Sequence, residues 1–402
     1  MAHGAPPKSG SFGETYSRVA VAYDCFFPLT TGGGERLYVG FARELAHRGC
    51  SVDYLTSAHR DERPPSDFSV VEVSPALRLY DEDGVRRTSA ALRFAWGLLR
   101  ALRQRRDRYD LIIVSALPVL NVFAARLALM GSGTVVICDY LEVWGRRQWI
   151  DYAGGVTGRL GWLLQRAAIF LTPLATCHSE LSAMHLRREG LRGEPVVSPG
   201  LIDTADAPAE RSSARQPPYV LYAGRHIQDK RVEALPGAVA AARREIPGLQ
   251  LRILGEGQST PRVREAVAEV SGEEWVTLEG FVSQEALDAA IAGATCLANP
   301  SRREGYGLVV VEAAAHGTPS VLVADPGNAS VELVVPGVNG FVAESVAPSD
   351  VGEAIVQVVR GGGQLRASTR VWFDDAIRSK TIVKTIDGVL AAVQGAHDGV
   401  KK

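Results

Sequence analysis

Cysteine is scarce in this 402-residue chain: five residues, at positions 25, 50, 138, 177 and 296, with no CxxC pair and no metal-ligand spacing. That excludes a disulfide-stapled scaffold and a structural zinc site. The apolar context of most of these cysteines instead points to buried free thiols in a reducing compartment. No apolar run reaches 18 residues, and even 160–176 is broken by Gln165, Arg166 and Pro173, so no spanning helix is expected. Residues 1–16 are polar and lack the apolar core of a secretion signal. Net charge is nearly absent, −1 from 44 basic and 45 acidic residues, which gives no overall pull toward nucleic acid. There is no HExxH, no Asp-x-Asp where a diphosphate-bound metal would need it, and no GxGxxG after the first strand. A dehydrogenase and a metal-dependent site are therefore disfavoured. These absences together predict a cytoplasmic protein without cofactor or metal.

What is present is ample apolar content, 46%, in a chain too long for one core, so two domains are expected. Short β runs at 19–23, 51–56, 111–114 and 135–138 alternate with helical patterns such as 36–48. A second series follows at 219–222, 249–254, 275–278, 295–298 and 320–323. Alternation of this kind implies βαβ units and mostly parallel sheets, with ligands at the carboxyl ends of the strands. The two series are separated by a Pro- and Ser-bearing stretch. The expected layout is a flexible segment 1–16, a first domain 17–205, a linker 206–218 and a second domain 219–374. The fold class is α/β, with two doubly wound domains facing across a cleft.

The most informative segment is Glu304-Gly-Tyr-Gly-Leu-Val-Val-Val-Glu312, two carboxylates seven residues apart around Gly305, Tyr306 and Gly307. A helix starting near Gly307 would set Glu304 just ahead of its N-terminus and Glu312 about two turns on. Free N–H groups at such an end attract phosphate oxygens, and glycines admit close approach. The carboxylates suit sugar hydroxyls better than the phosphate itself, so the layout suggests a sugar diphosphate. Arg225 and Lys230 follow the strand 219–223 and the turn at Gly224, where they could neutralise a leaving diphosphate. Gly255, after 249–254, and Phe281, after Gly280, are loop positions that suit either nucleotide contact or plain packing. Gly32, Gly33, Gly34 and Glu35 precede the helix expected from Arg36, and could form a backbone anion nest or a simple flexible loop.

Together these motifs, with 315–319 and 335–341, resemble the retaining glycosyltransferases of family four, which have the GT-B fold and an E-x7-E signature, over roughly residues 18 to 390. The resemblance implies transfer of a hexose-type sugar from a nucleotide-diphosphate donor, UDP favoured over GDP, to a hydroxyl acceptor. It assigns Arg225 and Lys230 to the diphosphate, Glu304 to the transferred sugar and Glu312 to the ribose. Tyr306, Gly307 and Leu308 would offer backbone N–H groups. It also implies that a final helix, about 375–394, crosses back onto the first domain. Arg231 stands where the pattern has Gly, and Leu141 stands in Asp139-Tyr-Leu-Glu-Val-Trp144 where relatives carry a sugar-contacting His. Asp139, Leu141, Glu142 and Trp144, with Glu35, are the acceptor-side candidates. A nucleotide-sugar-binding protein without transfer activity, and a sugar-phosphate or disaccharide synthase or phosphorylase on the same fold, remain alternatives. The basic helix 90–108 fits either a solvated face or peripheral contact with anionic lipid at the inner membrane. Acceptor identity and oligomeric state are not legible.

Overall fold

The computed structural model describes residues 16–30, 32–59, 65–79, 86–203 and 214–400. Residues 1–15 of the expected N-terminal segment and 206–213 of the expected linker lie outside them. Two compact units divide the chain: unit 1 comprises residues 1–201 and 382–402, and unit 2 residues 202–381. Each is a parallel sheet flanked by helices.

Unit 1 has strands β1 Arg18–Ala22, β2 Ser51–Ser57, β3 Ser69–Ser74, β4 Leu111–Ser115, β5 Val135–Tyr140, β6 Leu174–Cys177 and β7 Val196–Val197. Their spatial order is β3-β2-β1-β4-β5-β6-β7, all parallel. Strand side chains alternate between faces. Ala20, Ala22, Ile112, Val114, Val136 and Cys138 share one buried cluster with Phe94, Leu98, Val122 and Ile169 of the overlying helices. These central strands, covered on both faces, read as continuous apolar runs, which is why they were visible in the sequence. β6 was not, because Pro173 and the neighbouring apolar helix Gly155–Leu171 masked a run of only four residues.

Unit 2 has β8 Tyr219–Ala223, β9 Gln250–Leu254, β10 Val276–Glu279, β11 Cys296–Asn299, β13 Ser320–Val323 and β15 Gly340–Ala343, in the order β10-β9-β8-β11-β13-β15. The short strands β12 Arg303–Glu304 and β14 Gly327–Asn328 form a separate parallel pair. Its core gathers Val220, Leu251, Cys296 and Val321 under Leu235, Val239 and Ile355. In both sheets the strand order reverses beside the first strand of the unit, between β1 and β4 and between β8 and β11, and such switch points open a crevice at the strand ends. The nine strands expected from sequence agree with those observed to within two residues at each end.

Several boundaries differ from expectation. Tyr16 is buried, so it belongs to unit 1 rather than to a loose segment. The first helix spans Gly33–His47, not 36–48. The return to unit 1 comes at Ile382, not near 375, because Asp375 still lies in the helix Pro348–Ser379. That helix is itself two helices joined at Gly362, whose φ of 49° leaves the helical region. The final helix, Ile382–Val400, buries Ile382, Ile386, Val389 and Val393, an apolar stripe at helical spacing. Its first turn is pinned to unit 1 by Arg48, which bonds Asp387 at 2.9 Å and the Val383 carbonyl at 3.1 Å. All five cysteines are free and buried.

Candidate functional site

At the carboxyl end of β8 the chain turns through Gly224, at φ 158°, and β9 ends in Gly255, at φ 107°. The two loops continue the β8–β9 ladder: Gly224 N–H donates to Leu254 O at 3.1 Å, and His226 N–H to Glu256 O at 3.0 Å. A Cβ on Gly255 would collide with the Gly224 carbonyl, and one on Gly257 with the His226 carbonyl. These positions are glycine because backbone meets backbone there. The Gly224 turn leaves Arg225 exposed at the end of the strand, with its carbonyl accepting from Tyr222 Oη at 3.1 Å.

Lys230 ends a single 3-10 turn, Gln228–Lys230, and its ammonium pairs directly with the Glu304 carboxylate. Their side chains are only 21% and 17% exposed. Glu304 is fixed from the other side of the switch point by β12, opposite Asn328 of β14. Asp229 binds both Arg302, at 3.1 Å, and Arg303, and its carbonyl accepts from Arg302 N–H at 2.7 Å. The post-β8 turn and the post-β11 loop are therefore clamped together. The Arg302-Arg303 dipeptide before Glu304 was a readable signal for that clamp, and the sequence reading passed over it.

Arg231, where the resembled pattern has Gly, adopts a left-handed conformation with φ 48° and ψ 38°. A glycine would take that conformation without strain. Here Arg231 is held by its own side chain, Nε donating to Pro300 O at 2.8 Å and Nη1 lying 3.3 Å from Asp325. Gly307 is the N-cap of the helix Leu308–Ala315, at φ 101°, as the Glu304–Glu312 spacing implied. A Cβ there would come within 2.5 Å of the Ser330 Cβ. Tyr306 is buried, Gly305 and Leu308 are half-buried, and Glu312 lies half-buried in the second turn of the helix. Phe281 is 73% exposed after the edge strand β10. Beneath the site, His226 is buried, with Nδ1 3.0 Å from Thr260 Oγ1, and desolvation holds its pKa below the usual imidazole value.

In unit 1, the glycine loop is not the expected nest. Gly33 and Gly34 lie inside the first helical turn, and Gly32 is extended at φ 177°. The Glu35 carboxylate folds back against Gly32. Gly34 is required for a different reason: a Cβ on it would sit 2.7 Å from Tyr23 Oη and 3.1 Å from Leu141 Cδ1. Leu141 is thus half-buried against the start of the helix, at the carboxyl end of β5. Glu142 is exposed and accepts from Trp144 Nε1 at 2.7 Å. Trp144 packs tilted against Trp149 and edge-on against Tyr152, at centroid distances of 5.1 and 4.9 Å, and Gln165 bonds both Trp144 backbone groups and Trp149 Nε1.

Asp139 does not face a ligand. It is fully buried, accepting from Tyr38 Oη at 2.7 Å and from Thr176, with His178 Nε2 at 3.1 Å. Burial alone would raise its pKa, but His178, Thr176 and Tyr38 outweigh burial and hold it below the usual carboxylate value. Tyr38 lies 101 residues from Asp139 in sequence, and Thr176 and His178, at the end of β6, lie 37 and 39 residues from it, so nothing local announced the network. A second buried pair missed by the sequence reading is Asp24 with Arg86. Among the described residues, no group of three His, Cys, Asp or Glu side chains could hold a metal ion.

Two family descriptions tile the chain: "Glycosyl transferase 4-like domain" matches residues 32–200 and "Glycosyl transferases group 1" matches residues 203–370. A D-inositol 3-phosphate glycosyltransferase of Nocardia farcinica is 30% identical over 225 residues, which is 51% of this chain and 49% of that protein. The chain's matches span about half the length of such curated relatives. Sucrose-phosphate synthase from Thermosynechococcus elongatus superposes with a TM-score of 0.71 at 18% identity, covering 96% of this chain and 99% of that one. Anabaena Alr3699/HepE in complex with UDP-glucose gives 0.67 at 15%, covering 94% and 99%. At such identities the structures speak for the fold, which is GT-B. The chain has the GT-B fold, and its two halves match the 4-like and group 1 glycosyl transferase descriptions respectively.

Proposed function

We propose that this protein is a retaining glycosyltransferase of the family-four type, moving a hexose-type sugar from a UDP-activated donor to a hydroxyl of an acceptor. The observation that carries the reading is the Lys230–Glu304 pair held across the β8/β11 switch point, one turn before the N-capping Gly307. Without donor, the two charges satisfy one another. A diphosphate would draw Lys230 and Arg225 to its oxygens and leave the Glu304 carboxylate to accept from sugar hydroxyls. The free N–H groups after Gly307 stabilise the same developing charge. Glu312, in the second turn of that helix, would meet the ribose. In this scheme no protein carboxylate attacks the sugar: the leaving diphosphate takes the acceptor proton as the new bond forms on the same face. The solved relative bound to UDP-glucose supports uracil as the base. Leu141, where the resembled pattern has a sugar-contacting His, offers no hydrogen bond to a hydroxyl, which favours a deoxy or N-substituted sugar. A panel of nucleotide sugars tests the proposal: UDP-sugars should raise the melting temperature and be slowly cleaved. Neither shift nor cleavage with any member would refute it.

A further inference from the structure

Three helices of unit 1, Thr88–Gln104, Leu120–Ala128 and Gly155–Leu171, lie side by side over one sheet face, the first against the second and the second against the third. Their inward sides are ordinary core. Their outward sides are not ordinary surface. On the third helix Val156, Leu160, Leu163 and Phe170 are exposed at 80%, 57%, 55% and 49%, at the i, i+4, i+7, i+14 spacing of one helical stripe. The first helix adds Leu92 and Trp96, and the second adds Leu127 with Met130 just beyond it, all more than half exposed. Between them stand exposed arginines: Arg93, Arg100 and Arg103 on the first helix, Arg126 on the second and Arg159 on the third. Arg166, further along the third, lies over Trp162 and 3.8 Å from Glu189. None of the three helices contains an Asp or Glu, in a chain with 45 of them.

We propose that this face docks on an anionic lipid bilayer. The apolar side chains would enter the boundary between headgroups and acyl chains, and the arginines would pair with lipid phosphates. No helix among the described residues is long and apolar enough to cross a membrane, so contact is interfacial. The charge pattern selects this occupant over a second copy of the chain. A two-fold interface lays a patch on itself, which would set arginines against arginines with no carboxylate on these helices to meet them. A purely solvated face would account for the arginines and not for the apolar stripe. The inference rests on unit 1 alone and stands whether or not the donor reading does.

Vesicle flotation of the full chain tests it, with phosphatidylglycerol/phosphatidylcholine vesicles set against phosphatidylcholine alone. Binding is expected on the anionic vesicles, at least ten-fold weaker on the neutral ones, and falling with salt. Arg93→Ser/Arg100→Ser/Arg126→Ser should lower partitioning by roughly 100-fold, about five-fold per arginine. Leu160→Ser/Leu163→Ser should lower it too while leaving the salt dependence intact. These side chains are exposed, so melting temperature and UDP binding should stay as in the unchanged chain, which separates lost docking from lost fold. Absence of flotation at low salt would overturn the proposal, as would variants that float like the unchanged chain. So would a concentration-dependent dimer that the leucine variant makes monomeric without any vesicle binding.

Discussion

Replacing Lys230 by Ala removes one half of an ion pair that is partly open to water, with side chains 21% and 17% exposed. Pairs of that kind are worth about 0–1 kcal/mol of stability. For a unit the size of residues 202–381, roughly 2–4 °C of melting temperature accompanies each kcal/mol, so the loss should stay under about 4 °C. Catalytically the same side chain is asked for far more. A preorganised group facing charge that develops in the transition state contributes about 3–4 kcal/mol, or roughly 100- to 1,000-fold in turnover. Lys230→Ala and Glu304→Ala should therefore melt almost like the unchanged chain and be nearly inactive. UDP release from UDP-glucose provides the assay, with calorimetric UDP binding beside it. Lys230→Ala should weaken UDP as well as turnover, because the proposal gives it the diphosphate. Glu304→Ala should spare UDP affinity and lose turnover, because the proposal gives it the sugar. If both variants keep a tenth or more of the donor cleavage at unchanged melting temperature, the pair is structural and the reasoning fails.

Gly255→Ala sets a Cβ against a backbone carbonyl at a positive φ, and should cost more than about 2 kcal/mol and abolish UDP binding, as a melt and a titration would read. Arg231→Gly exchanges strain of about 1–2 kcal/mol for two lost side-chain bonds, so its melting temperature should stay nearly constant, whereas Arg231→Val loses the bonds and keeps the strain. Asp139→Leu leaves Tyr38, Thr176 and His178 without their acceptor and should cost about 3–5 kcal/mol in a urea melt. The Asp139 pKa is lowered on folding, so its contribution is full above the ordinary carboxylate range and fades as pH falls below about 3.8. His226 is likewise lowered on folding. Stability should be retained above pH 6.5 and decline as the solution is acidified, a slope that His226→Phe should flatten in melts from pH 7.5 to 5.

Much of the geometry of the loops after β8, β9 and β11 was legible because its determinants are local. Gly307 needs its positive φ within a nine-residue motif, the strand before Gly224 is apolar on both faces, and the strand before Gly255 buries Leu251, Ile253 and Leu254. Arg225, Lys230 and Glu304 were read from their places after those strands. Arg231 shows the limit: the sequence flagged a departure from Gly, but only coordinates show an arginine taking the left-handed conformation, held by Pro300 and Asp325. On the first unit the reading erred where long-range packing decides. Asp139 looked like a ligand because it is a carboxylate at a strand end, yet Tyr38 comes to it from 101 residues away. Three consecutive glycines suggested a loop, yet two of them begin a helix whose close approach to Tyr23 and Leu141 requires Gly34. β3 is only partly buried and β7 is two residues long, too weak a pattern to separate from loops.

The final helix gives the chain an unusual order of completion. A Cβ on Gly40, in the first helix, would lie 2.6 Å from Ile382 Cδ1, so the Ile382 side chain seats directly on the backbone of that helix, and Thr385 bonds Ser198 at 2.6 Å. Unit 1 is begun first on the ribosome, yet these contacts form only after all of unit 2 has been made. Unit 2 is continuous from residue 202 to 381 and can close as soon as it emerges. Residues 16–201 must therefore wait, with Gly40 and the Ser198 hydroxyl uncovered, until residues 382–400 arrive. Shortening the chain behind residue 381 should thus unsettle the beginning of the protein and leave its middle intact.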